Sequence, residues 1–105
     1  MSQSQFQVYL YLDDLRPIPP KYVGVRSYTE FVKYILINGL PHLISFDQDQ
    51  GEEKTGYDCA KWLISYCLDN NLQLPDYQVH SQNPVGRQNI AYLLRNFQLH
   101  QKNNK

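Results

Sequence analysis

Val8-Tyr9-Leu10-Tyr11-Leu12 is an unbroken apolar and aromatic run that stops at Asp13-Asp14. A short run of this kind, with no polar alternation, reads as a central strand buried on both faces. The pattern recurs downstream. His42-Leu43-Ile44-Ser45-Phe46 is a second such run, and it stops at Asp47-Gln48-Asp49. Tyr77-Gln78-Val79-His80 is a more polar strand candidate, and Tyr22 to Arg26 is a short one near the start.

The segments between these strands carry helical spacing. Ser27 and Glu30 form an S-x-x-E capping box ahead of Tyr28, Phe31, Val32, Ile35 and Leu36, and Gly39 and Pro41 close that helix. Thr55 and Asp58 predict a second box, ahead of a stripe of Cys59, Trp62, Leu63, Tyr66 and Cys67. Asn83 as N-cap and Pro84 at the first helical position open a third helix, with Ile90, Leu93, Leu94 and Phe97 on its buried face. Arg16-Pro17-Ile18-Pro19-Pro20 cannot be helical inside, so the first two strands are joined by a loop. The order is β-loop-β-α-β-α-β-α, an α/β pattern whose strands pair in parallel.

The chain has 105 residues, 10 basic and 10 acidic, for a net charge of zero. One domain over residues 1–105 is expected, with polar ends fraying at about 1–5 and 100–105. Neutrality argues against an extended nucleic-acid surface. No apolar run spans a bilayer, and the MSQSQFQ start has no secretory character, so the reading expects a cytoplasmic protein without a membrane partner. Cys59 and Cys67, two helical turns apart and so about 12 Å, read as reduced core residues.

In a parallel sheet the site lies at the carboxyl ends of the strands. Asp13-Asp14, Asp47-Asp49 and His80-Ser81 all fall there. Carboxylates gathered on one edge repel unless a cation joins them, and hard oxygen donors suit Mg²⁺ with substrate phosphate. Asp47-Gln48-Asp49 has the form of a phosphotransfer D-x-D signature. Ser81 to Arg87 leads into a helix N-terminus, where free N–H groups favour an anion and Gly86 permits close approach. Arg87 adds a phosphate contact, and Arg16 either binds phosphate or neutralises Asp13 or Asp14. His80 is placed for acid–base work near neutral pH. Of the nine tyrosines, Tyr57 is the best placed to stack on a base.

Leu12-Asp13-Asp14-Leu15-Arg16-Pro17, Ile44-Ser45-Phe46-Asp47-Gln48-Asp49-Gln50-Gly51, Gly56-Tyr57-Asp58 and the run from Val79-His80-Ser81 through Asn83-Pro84-Val85-Gly86-Arg87 to Ile90 resemble the cyclic-phosphate-processing receiver-like domain family. The likeness covers roughly Val8 to Leu99. It implies a minimal receiver-like (flavodoxin-like) three-layer sandwich: about four parallel strands, helices on both faces, and no fifth strand. It also implies a Mg²⁺-dependent (or Mn²⁺-dependent) phosphoesterase or phosphotransferase acting on cyclic phosphates of nucleotides or RNA ends. Asp13, Asp14 and Asp47 would hold the metal, and Asp47, Asp49 and His80 would be catalytic. Arg16, Ser81, Asn83, Gly86 and Arg87 would bind substrate phosphate. Gln48 stands where the family usually has histidine, and the lysine-bearing fifth strand of signalling receivers has no counterpart. The alternative is a non-catalytic phosphate- or nucleotide-binding or regulatory module.

Overall fold

A computed structural model describes residues 7–13, 16–47, 56–80 and 84–103, with only the backbone described for residues 84–87. The elements run in the expected order: β1 (Tyr9–Leu12), β2 (Tyr22–Val25), α1 (Tyr28–Asn38), β3 (Leu43–Phe46), α2 (Gly56–Asn70), β4 (Asp76–Val79) and α3 (Pro84–Asn103). The strands form one sheet in the order β2-β1-β3-β4, and every pairing is parallel. No helix among the described residues is long and apolar enough to cross a membrane.

Side chains alternate across a strand, so Leu10 and Leu12 of β1 share a face with Ile44 and Phe46 of β3. All four are fully buried, in one cluster with Val25, with Phe31 and Ile35 of α1, with Cys59, Leu63 and Cys67 of α2, and with Ile90, Leu94 and Phe97 of α3. The two cysteines are buried free thiols, as expected. The minimal receiver-like α/β fold is therefore present, but its three described helices lie together on one face. The cause is the handedness of crossover connections. From β2 to β3 and from β3 to β4 the chain steps across the sheet in one direction, so both crossover helices fall on the same side, and α3 packs beside α2. Only the step from β1 to β2 runs the other way, and there the proline loop replaces a helix. Loop and strand meet closely: a Cβ on Gly24 would lie 2.5 Å from the Ile18 side chain.

Helix ends follow local chemistry. The Ser27 hydroxyl accepts from the Glu30 N–H at 3.1 Å, as the capping box requires. The Glu30 carboxylate returns to the N–H of Arg26 rather than to that of Ser27. Gly39 ends α1 at φ 86°, its N–H donating to the Ile35 carbonyl. Asn71, at φ 58°, ends α2 while the Leu72 N–H reaches back to Cys67. Thr55 and Asn83, the other expected caps, lie outside the described residues. The last helix continues past His100 to Asn103. Its end is tied to the α2–β4 loop, where the Gln101 amide donates to the Leu72 carbonyl and accepts from the Leu74 N–H.

Candidate functional site

Asp13, Asp47 and His80 each follow the last residue of a strand, on β1, β3 and β4 respectively. Each is also in phase with the residue two before it, so Tyr11–Asp13, Ser45–Asp47 and Gln78–His80 project on the face away from the helices. The register aligns Tyr11 with Ser45, and Ser45 with Gln78. The three site residues therefore stand side by side above a row of three supporting side chains.

Both carboxylates are deeply buried, Asp13 at 1% and Asp47 at 2% exposure. Buried charge is tolerated only with partners. Arg16 supplies them from the proline loop. Its backbone N–H donates to Asp13 Oδ1 at 2.8 Å, and its Nη1 donates to Asp13 Oδ2 at 3.0 Å and to the His80 carbonyl at 2.9 Å. The same Nη1 lies 3.8 Å from Asp47 Oδ1. The hydrogen bond to Asp13 is the main cause that raises the Arg16 pKa above its already high ordinary value, so the guanidinium stays charged. Arg26 fixes the turn from behind by donating to the carbonyls of Asp13 and Arg16.

The His80 ring is held on both edges and one face. Its Nε2 lies 3.0 Å from Asp13 Oδ2, and its Nδ1 lies 2.6 Å from Ser45 Oγ. It stacks on Tyr11 with ring centroids 4.2 Å apart and planes within 6°. A carboxylate only accepts, so Nε2 carries the proton donated to Asp13, and in the neutral imidazole Nδ1 then accepts from the Ser45 hydroxyl. Gln78 Nε2 in turn donates to Ser45 Oγ at 3.3 Å. The bonds therefore point one way, from Gln78 through Ser45 and His80 to Asp13. Tyr11 pays nothing in charge at neutral pH: burial first, and then the Asp13 charge, push its hydroxyl pKa upward.

Among the described residues, Asp13, Asp47 and His80 are a group able to hold a metal ion, with one donor atom from each within 4.8 Å of the others. An ion with bonds near 2.1 Å holds its ligand atoms about 3–4 Å apart, a spacing that falls within the reach of this group. Of the residues expected at the site, Asp13, Arg16, Asp47 and His80 are brought together. Asp14, Asp49, Ser81 and Asn83 lie outside the described residues. Gly86 and Arg87 fall in the first turn of α3, where only the backbone is described. Tyr57 packs against the core, with Lys61 Nζ 5.7 Å from its ring. Sequence reasoning passed over Tyr11, Ser45 and Gln78. Their signal was present, since each precedes a site residue by two and must share its face.

No curated protein and no solved structure matches the chain. The family described as cyclic-phosphate processing receiver domain matches it over residues 8–96, which includes every strand and the whole site. The chain, with its parallel sheet and its paired aspartates at adjoining strand ends, belongs to that family.

Proposed function

We propose that this receiver domain is a divalent-metal-assisted phosphoesterase that opens cyclic phosphates of nucleotides or RNA ends. The observation that carries the reading is the convergence of two buried carboxylates, one arginine and one oriented imidazole at three neighbouring strand ends. Asp13 and Asp47 would hold Mg²⁺ or Mn²⁺, with Asp14 completing the acidic set. When bound, the metal supplies charge neutralisation and polarisation of the phosphate.

The chain's own residues supply the rest. His80 is 19% exposed, so a substrate reaches it, while Ser45, Tyr11 and Asp13 fix its ring. Its Nε2–Asp13 pair would relay the proton when water adds to phosphorus and one P–O ester bond opens to a phosphomonoester. Asp49 is a second proton-transfer candidate. Arg16, 33% exposed, faces both the carboxylates and solvent and contacts phosphate oxygens. Gly86 and Arg87 in the first turn of α3, with Ser81 and Asn83 just before it in the sequence, would add anion contacts from a helix N-terminus.

The test is a panel of 2′,3′-cyclic nucleotides, 3′,5′-cyclic nucleotides and cyclic oligonucleotides with Mg²⁺ or Mn²⁺, read by phosphorus NMR. Turnover of one class is expected, with a loss of at least a hundredfold in His80→Ala. Folded protein that turns over none of them refutes the reading. Ligand-induced thermal stabilisation without product would assign the binding-module alternative instead.

A further inference from the structure

The Arg16 guanidinium occupies the position a cation would take. Its Nη1 is 3.0 Å from Asp13 Oδ2, 3.8 Å from Asp47 Oδ1 and 2.9 Å from the His80 carbonyl oxygen. These are three oxygens from the ends of β1, β3 and β4. We propose that Arg16 and a divalent cation are alternative occupants of this one position, so that metal entry expels the guanidinium and frees it to clamp phosphate. This rests on the metal-assisted reading above and adds the order of events within it.

A metal ion bound at about 2.1 Å to the two carboxylates would overlap a nitrogen already within hydrogen-bonding distance of one of them. Two positive charges at that separation also repel strongly in a site this buried. Arg16 is well placed to leave. It is the exposed partner of the group, and its backbone N–H bond to Asp13 Oδ1 keeps the loop anchored while the side chain turns. Without metal, the guanidinium places its positive charge beside both buried carboxylates. With metal, the same group becomes a planar donor fork for phosphate oxygens beside the ion. Metal and phosphate binding are then coupled through one side chain.

The experiment uses the full chain with Mn²⁺ or Mg²⁺ alone and then with inorganic phosphate. Calorimetry should show Mn²⁺ binding at least tenfold more tightly to Arg16→Ala and to Arg16→Gln than to the parent. Asp47→Asn should lose binding. In ¹⁵N-arginine NMR of the parent, the Arg16 Nη signals should be resolved without metal and merge as Mg²⁺ saturates and the group rotates freely. Saturating Mn²⁺ should strengthen phosphate binding more in the parent than in Arg16→Ala. Equal Mn²⁺ affinity in parent and variants, or Nη signals that stay resolved with Mg²⁺ bound, overturns the exchange while leaving the metal site standing. No Mn²⁺ binding to any of the folded proteins overturns both.

Discussion

Ser45 shows how much one small hydroxyl can decide. It is fully buried in the middle of the sheet, where a polar atom without partners is costly. It is satisfied because it donates to His80 Nδ1 while accepting from Gln78. Ser45→Ala removes the partner of His80 Nδ1 and leaves a half-buried ring nitrogen unpaired. Urea unfolding should show a loss of about 1–3 kcal/mol. Imidazole ¹⁵N NMR should show the His80 Nδ1 signal shifting as its partner is lost while Nε2 stays bonded to Asp13, a result that simple loss of packing would not produce. Asp13, Asp47, His80 and Arg16 were legible in the sequence because acids and histidine directly after apolar runs mark strand ends. The choice left open for Arg16, phosphate or acid, could not be settled there. It depends on how a proline loop folds back over a sheet edge, and no local pattern encodes that path.

Among the elements, the helix ends test the reading of local chemistry most sharply. A Cβ added to Gly39 would meet no atom within 4 Å, so space alone predicts a harmless substitution. The backbone predicts otherwise. With φ 86° and ψ −178°, Gly39 sits in a region that residues with a Cβ scarcely enter. Gly39→Ala should cost about 1–3 kcal/mol in urea unfolding, with the midpoint shifted and the slope unchanged. The sequence pattern located this end of α1 well, since Gly39 and Pro41 are both visible stops. It was less informative at the end of α2, where Pro75 is the conspicuous breaker but the helix has already ended at Asn71 in a left-handed turn. Asparagine tolerates that turn, yet it is a weaker written signal than glycine.

At the scale of the whole molecule, burial leaves a mark on alkaline stability. Burial pushes the Cys67 thiol from an ordinary value of 9.0 up to about 11. It also raises the Tyr77 hydroxyl, and with the Asp13 charge it raises that of Tyr11. In each case the folded state holds its proton at a pH where the unfolded chain has released it. For Cys67 the contribution is complete below pH 9 and is lost as pH rises through 11. For Cys67 it amounts to about 2–3 kcal/mol. Thermal melts should fall steeply between pH 9 and 11, and Cys67→Ala should flatten that fall even though its neutral-pH stability is lower. The parallel sheet was legible from the alternation of strand and helix patterns. The gathering of the helices on one face was not read, although the handedness of two crossovers in the same direction dictates it.

The strand order β2-β1-β3-β4 has a kinetic consequence. None of the three pairings is a hairpin, and those of β3 with β1 and with β4 each require a long stretch of chain to close before any ladder bond is gained. The middle strands, β1 and β3, bridge the whole sheet, and a fragment of it would leave their apolar sides bare. Folding should accordingly be slow for a chain of this length and close to all-or-none. The constellation of Asp13, Asp47 and His80, drawn from three distant segments, has no half-assembled form: it appears at the moment the last pairing is made.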